Sequence, residues 1–460
     1  MNFMIKYETD SRKIKPGQIF VAIKGHTVDG HDYINAAIKN GAIKIIAEKN
    51  IECEIPVEVV SNSEEYLKEA LKQEYAQELN DLKIIGITGT NGKTTTSYLI
   101  YQILNELGNN TAYIGTLGYI SLNKTIETDN TTPDILNIYK LLFDAKNNNI
   151  KTIVMEVSSH ALAFQRIYGL HLDVAAFTNL TEDHLDYHKT MENYLQAKLK
   201  IIDYLNEDGT LILNGDDEYS KEFMKLHKNY KTLGFNNNFD YNITNTIITP
   251  SKSTINFTYL NNDYEVTTHL TSKFNVYNYM TSLAIINALG YSIEEIIKTT
   301  KNIKAPKGRC ETHEVNNGYA VIDYAHTPDA VEKVITAYNE LKKNRVITIV
   351  GCGGDRDPIK RPIMGKIATN LSDYVIFTTD NPRTEDPNKI MDDIIKGVEK
   401  NNYKIILDRK DAIKQGIDML QPEDILLILG KGHEDYQIIG HEKIHLDDAE
   451  EVNNWLNNKA

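Results

Sequence analysis

The chain has 460 residues, 41% hydrophobic and 25% charged, which predicts a water-soluble protein of about two to four domains, too long for a single core. A formal net charge of −14 excludes the basic face that a nucleic-acid binder uses to displace counterions, while leaving room for local Arg and Lys sites that hold small anions. The three scattered cysteines, Cys53, Cys310 and Cys352, give neither a disulfide framework nor a zinc site, and no apolar run has membrane-spanning length, so a cytoplasmic protein without membrane partners is expected. A monomer is the separate expectation, which composition does not fix.

In chain order, the first segment, to about residue 80, mixes short apolar runs at 18–22 and 43–47 with helical stretches and ends in a charged, helix-prone tract at 61–79. Residues 82–88 then read as a buried strand that runs into Gly89-Thr90-Asn91-Gly92-Lys93-Thr94-Thr95, with a helix expected from 93 to about 107. Such a loop offers successive backbone N–H groups at a helix N-terminus, where the helix dipole adds to the attraction for a triphosphate. Lys93 is expected on the β- and γ-phosphates and the Thr94 hydroxyl on Mg²⁺. The usual GxxxxGK[ST] spacing would place its first glycine at Ile87, whereas the nearest glycines are Gly86 and Gly89. A glycine-rich hairpin is the competing reading, and the preceding strand with the following helix argues against it. ATP binding is expected; the loop alone leaves kinase, ATPase and ligase chemistry open.

Further strands are expected at 152–157 and 173–178 and a helix at 191–205. Glu156 falls at a strand's carboxyl end, where it can meet Mg²⁺ or merely cap a helix. Residues 178–188 hold two histidines and three acids, a pattern suited to a metal or to substrate positioning, or to a solvated loop. Lys198, flanked by Leu195 and Leu199, reads on its own as an ordinary helix lysine. Polar, β-prone sequence fills 230–270, a helix begins near 274, and after 304–308 strands at 319–324, 346–350, 374–379, 404–407 and 425–429 alternate with helices, implying a parallel, helix-covered sheet. Three of those strands run into charged, glycine-bearing loops at 351–357, 380–383 and 430–434. They share one sheet edge, where Arg356, Arg383 and Glu434 could read a zwitterion with an additional carboxylate.

Taken together, Thr9-Asp-Ser-Arg12, the stretch 25–31, Gly89–Thr95, Asn130-Thr-Thr-Pro133, Glu156-Val-Ser-Ser-His160, Asp183-His-Leu-Asp-Tyr-His188, Asp323-Tyr-Ala-His-Thr-Pro328, Gly353-Gly-Asp-Arg-Asp357, Asp380-Asn-Pro-Arg383 and Gly430-Lys-Gly-His-Glu434 resemble the Mur ligases over essentially the whole chain. The resemblance implies an α/β protein of three domains: a small UDP-MurNAc-binding domain at 1–80, a central ATP-binding P-loop domain at 81–305, and a Rossmann-like amino-acid-binding domain at 306–460. It implies an ATP-dependent amide ligase that adds meso-2,6-diaminopimelate to UDP-MurNAc-L-Ala-D-Glu through an acyl phosphate. Lys93, Glu156, His184 and Lys198 would be catalytic, with Thr94, Glu156, His184 and Lys198 around Mg²⁺, Lys198 having become an N6-carboxylysine by taking up CO₂.

By the same resemblance, ATP would meet Gly89 through Thr95, Asn278, Arg309 and Asp323. The nucleotide-sugar substrate would meet Ser11, His26, Thr27, Val28, Asn130, Thr131, Thr132, Ser158 and Arg166. The chain departs from several relatives at Phe164, where they carry Gln. Arg356, Asp380, Asn381, Pro382, Arg383, Gly430 and Glu434 would hold diaminopimelate, because the Arg383 guanidinium can pair with a distal carboxylate that lysine lacks. Lysine and meso-lanthionine are the alternative acceptors. A related amide ligase, such as a folylpolyglutamate synthetase, and a nucleotide-operated switch are the rival functions.

Overall fold

The computed structural model describes residues 5–25, 28–236 and 238–459. Two compact units emerge: one holds residues up to Gly234 together with Thr281–Ile296, the other Phe235–Met280 and Ile297 onward. No helix among the described residues is long and apolar enough to cross a membrane.

The first unit opens with a parallel sheet in the order β1 (Tyr7–Glu8), β2 (Ile19–Val21), β3 (Lys44–Ala47) and β4 (Val57–Val59). One face covers Phe20, Ile34, Ala37 and Ile45. The other face shares a core with the helix Ser63–Tyr75, whose Leu67 and Leu71, one turn apart, are fully buried. Asn62 starts that helix by accepting the Glu65 N–H, a cap that contributes about 1 kcal/mol.

The rest of this unit is built on β5 (Lys83–Thr88), β6 (Thr111–Gly115), β7 (Gly118–Ser121), β8 (Lys124–Ile126), β9 (Thr152–Glu156), β10 (Leu172–Phe177), β11 (Leu205–Asn214) and β12 (Tyr230–Gly234). Their order is β12-β11-β10-β5-β9-β6-β7-β8, parallel from β12 to β6 and antiparallel through the β6-β7-β8 meander. All of β5 beyond Lys83 is buried, as a central parallel strand covered on both faces requires. Its neighbours β10 and β9 run parallel to it, so the loops after all three strands open at one sheet edge.

Two expectations change here. Helix over 191–205 is α-helical only at Met191–Leu199; Lys200–Tyr204 tightens into a 3₁₀ turn and Leu205 already belongs to β11. Strand β6 and its hairpin were not expected, because Gly115 and Gly118 interrupt the run and Asn109-Asn110 precede it. Tertiary burial supplies what local pattern lacks: Ala112, Tyr113 and Ile114 are fully buried.

The second unit carries an antiparallel ribbon, β13 (Tyr241–Ile248), β14 (Ser253–Tyr259) and β15 (Asn262–Thr268). Its main sheet runs β16 (Glu311–Val315), β17 (Gly318–Asp323), β21 (Ile425–Leu429), β18 (Val346–Val350), β19 (Tyr374–Phe377) and β20 (Tyr403–Ile405), parallel except for the β16 edge. Alternate side chains of these strands feed two cores on opposite faces. The hairpin β22 (Tyr436–Ile439) and β23 (Glu442–His445) lies beyond β21.

Candidate active site

In the first unit the chain leaves β5 through Gly89 (φ +148) and enters the helix Lys93–Glu106 through Gly92 (φ +87). A Cβ on Gly89 would strike the Thr178 hydroxyl, so only glycine fits the turn. The loop is tied to residues following β10: Thr90 N–H donates to Asn179 O at 2.8 Å, and Thr178 Oγ1 to Asn91 O at 2.6 Å. Lys93 folds back on the loop, its Nζ donating to Gly89 O (2.9 Å) and Thr90 O (2.8 Å).

Glu156, at the end of β9, is fully buried. Its Oε2 accepts from Thr94 Oγ1 at 2.9 Å, while Oε1 accepts from Thr116 N–H at 2.9 Å and from the Tyr113 hydroxyl. It makes no ion pair among the described residues. The strand-end carboxylate and the loop hydroxyl, which the resemblance puts around one cation, therefore meet.

Lys198 is also buried, against its sequence reading as a plain helix lysine. Its Nζ donates to Gly89 O at 2.8 Å and lies 4.4 Å from the centre of the Tyr194 ring. Burial pushes its pKa well below the ordinary lysine value, and the nearby Lys93 pushes it in the same direction. Tyr194 also reaches Thr90 Oγ1 (3.2 Å) and lies edge-on to His184, with centroids 6.3 Å apart. His184 is half exposed, takes a left-handed backbone (φ +53), and lies edge-on to His160 with 4.9 Å between centroids. His188 is buried with Nε2 at 2.9 Å from Ser159 Oγ. The stretch 178–188 is thus only partly a solvated loop. Among the described residues no group of three or more His, Cys, Asp or Glu side chains gathers as a metal cage.

Beside Glu156, Thr132 donates to Glu156 O (2.8 Å), receives the Ser158 N–H (3.1 Å), and its carbonyl accepts from Arg166 Nη1 at 2.7 Å. Thr131 Oγ1 lies 3.2 Å from Thr116 Oγ1, and the Asn130 carbonyl accepts from Thr128. Ser158 caps the helix Ser159–Ala163. Burial holds the Arg166 guanidinium below its usual range, and Phe164 lies under it at 5.8 Å. Ser11 is buried near the parallel N-terminal sheet with its carbonyl accepting from Asn40, and Val28 is exposed. His26 and Thr27 lie outside the described residues.

In the second unit, loops after β18, β19 and β21 meet as expected. Gly354 N–H donates to Asn381 O (2.9 Å), and Arg383 Nη1 donates to Gly354 O (2.8 Å). Asn381 Nδ2 and the buried Lys431 both hold Glu434 Oε2, at 2.9 and 3.2 Å. Asp380 is buried with its Oδ1 on the Asn381 N–H (2.6 Å), Pro382 follows in a trans peptide, and Gly430 (φ +115) has room only for hydrogen beside Asp380 Oδ2. Arg356 is exposed at this edge. Arg361, itself buried, bridges Glu385 and Asp393, and Glu385 in turn accepts the Asp355 N–H.

Also in this unit, the Arg309 guanidinium stacks on Tyr324 at 4.6 Å, and Tyr324 packs on His433 at 4.9 Å between centroids. Asp323 accepts from the N–H groups of Cys310 and Ala325, each at 2.9 Å, and burial raises its carboxyl pKa. Asn278 is buried on the helix Lys273–Ala288 and donates to Asn275 Oδ1 (2.9 Å). Sequence reasoning missed Tyr113, Thr116, Tyr194, Arg361 and Lys431. Of these only Lys431 sat inside a motif already singled out.

Three family models match the chain: the Mur ligase family catalytic domain at residues 6–83, the Mur ligase middle domain at 87–286, and the Mur ligase glutamate ligase domain at 308–432. A Bacillus cereus protein named UDP-N-acetylmuramoyl-L-alanyl-D-glutamate--2,6-diaminopimelate ligase is 43% identical, over 96% of this chain and 92% of its own length. A Fusobacterium nucleatum protein of the same name is 44% identical over 96% of this chain and 92% of its own. A solved structure of a protein with that name superposes with a TM-score of 0.72 at 32% identity, covering 98% of this chain and 94% of the other. The MurF ligase from Thermotoga maritima in complex with ADP shares the fold, with a TM-score of 0.69 at 20% identity over 93% and 94% of the two chains.

Proposed function

The chain belongs to the Mur ligase family, and on that premise we propose that it is the ATP-dependent ligase joining meso-2,6-diaminopimelate to UDP-N-acetylmuramoyl-L-alanyl-D-glutamate in peptidoglycan precursor synthesis. ATP transfers its γ-phosphoryl group to the D-Glu carboxylate, leaving ADP and an acyl phosphate. The incoming amine attacks the carbonyl carbon and loses a proton, and inorganic phosphate leaves from the tetrahedral intermediate. Both partners in the first step are anions, so positioning and charge neutralisation dominate the catalysis.

The residues divide this work. The loop Gly89–Thr95 presents N–H donors to the phosphates, and Lys93 exchanges its hold on the Gly89 and Thr90 carbonyls for the β- and γ-phosphates. Glu156 fits a divalent cation because a fully buried carboxylate without an ion pair is costly until a positive charge arrives. The described residues form no cage of three or more His, Cys, Asp or Glu side chains, and Mg²⁺ suits such a site because it takes phosphate and water oxygens beside one or two carboxylates. Thr94, Glu156, His184 and Lys198 as its carbamate would hold it. When bound, Mg²⁺ neutralises charge on the transferring phosphoryl group.

Lys198 fits the modification on two counts. Burial favours its neutral amine, the form that reacts with CO₂. An anion there also replaces the repulsion between two lysines that share the Gly89 carbonyl.

In this reading Ser11, His26, Thr27, Val28, Asn130, Thr131, Thr132, Ser158 and Arg166 hold the nucleotide-sugar peptide, and Asn278, Arg309 and Asp323 serve ATP. Arg356, Asp380, Asn381, Pro382, Arg383, Gly430 and Glu434 read diaminopimelate. The pieces 1–80, 81–305 and 306–460 are the three functional domains. The partners are small molecules, the compartment is the cytoplasm, and a single chain supplies every named group.

The observation that carries the acceptor assignment is Arg383 held on the Gly354 and Asn381 carbonyls, with Asn381 in turn donating to Glu434, in a chain so similar to named diaminopimelate ligases. Phosphate release from ATP, Mg²⁺ and UDP-MurNAc-L-Ala-D-Glu tests it. With each amino acid supplied separately, release should rise with diaminopimelate and not with lysine; a preference for lysine would contradict the assignment, and release indifferent to both would contradict the ligase itself.

A further inference from the structure

Glu156 can accept about four hydrogen bonds through its two oxygens. Oε1 is occupied by protein, receiving the Thr116 N–H at 2.9 Å and the hydroxyl of the fully buried Tyr113. Oε2 faces Thr94 Oγ1 at 2.9 Å, on the side of the phosphate loop. Oε2 also receives the Thr116 hydroxyl at 3.3 Å, so it meets two threonine hydroxyls, whereas Oε1 is held by Tyr113 of β6 and by the backbone N–H of Thr116 just beyond it.

A second observation supports the same arrangement. A Cβ on Gly115 would overlap both the Tyr113 hydroxyl and Glu156 Oε1, so glycine at this strand end is what allows tyrosine and carboxylate to meet. The Tyr113 hydroxyl also lies 3.3 Å from the Leu117 N–H, which donates to it and orients its own proton toward Glu156.

We propose that Tyr113 is a positioning residue for metal–nucleotide binding: by occupying Oε1 of Glu156 it fixes the carboxylate so that Oε2 is the oxygen offered to the cation. This rests on the proposed Mg²⁺ role of Glu156, and the experiment separates the two. A hydroxyl lost from the group that orients a metal ligand typically costs about 10- to 100-fold in metal affinity.

The test measures the affinity of the whole protein for a non-hydrolysable ATP analogue, with and without Mn²⁺ as a paramagnetic stand-in, and records the Mn²⁺ spin-resonance spectrum of the complex. The wild type should bind the analogue more tightly with the metal, and Glu156→Gln should lose that gain. Tyr113→Phe, which keeps ring and volume, should reduce the gain about tenfold and alter the Mn²⁺ spectrum while leaving metal-free affinity unchanged. A Tyr113→Phe protein with the full metal-dependent gain, beside a Glu156→Gln protein that has lost it, would overturn the positioning role. Equal losses with and without metal would reduce Tyr113 to packing and overturn it too. If Glu156→Gln keeps the gain, the metal role of Glu156 itself fails.

Discussion

At the scale of single residues, the proposed chemistry turns on two side chains buried beside the Gly89–Thr95 loop, Glu156 and Lys198. Lys198 is the sharpest case. Replacing it with alanine is expected to lower turnover by about 10³-fold, the scale of losing a group that stabilises developing charge, and added short carboxylates should restore part of the rate by occupying the vacated anionic position. A mutant that folds normally and gains nothing from them would contradict the carbamate. Arg383→Ala removes charge-assisted hydrogen bonds worth about 1.5–3 kcal/mol, so its KM for diaminopimelate should rise by about 10- to 100-fold with that for ATP unchanged. A shift in the ATP constant instead would move Arg383 out of the acceptor site.

His433 has a ring nitrogen with no hydrogen-bond partner among the described residues, and burial, helped by Arg309 and Lys307, depresses its pKa to about 4. The unfolded chain takes up that proton near pH 6.5, the folded one only near 4. Stability should therefore fall as pH drops through that window, and His433→Gln should flatten the slope seen in urea unfolding. Little of this was legible from local pattern. Leu195 and Leu199 made Lys198 look like any helix lysine, and its burial is set by a carbonyl 109 residues away in the chain.

At the scale of elements, strand–loop–helix punctuation carried a great deal. The run at 82–88, the glycines at 89 and 92 and the helix from Lys93 stand where local pattern put them, because a buried parallel strand and a phosphate loop each have a strong sequence signature. Strand β6 had no such signature, and with it went Tyr113 and the Thr116 that follows it, two of the three residues that donate to the Glu156 carboxylate. The loops after β18, β19 and β21 were placed correctly on one edge, but the brace between them was not: Arg361 sits on the neighbouring helix and ties Glu385, and through it Asp355, to the Arg383 loop. Arg361→Met should loosen that brace, raising the KM for diaminopimelate about tenfold, while ATP binding measured by calorimetry stays as in the wild type. Equal effects on both ligands would mean the brace supports the fold alone.

At the scale of the molecule, membership of the Mur ligases was legible because motifs recur in order from Thr9 to Glu434, and the family models match three successive stretches of the chain. The grouping of Phe235–Met280 with the second compact unit, apart from the 81–234 stretch that precedes it, was not legible, since a passage of the chain from one unit to another leaves no mark on local periodicity. The ligase assignment stands on one product. Purified protein, ATP, Mg²⁺ and UDP-MurNAc-L-Ala-D-Glu should be given an equimolar mixture of meso-diaminopimelate and L-lysine, and the nucleotide products identified by mass spectrometry. The diaminopimelate tripeptide should form in large excess, with the preference collapsing in Arg383→Ala. A lysine tripeptide as the main product, or ADP formed with no tripeptide at all, would contradict it.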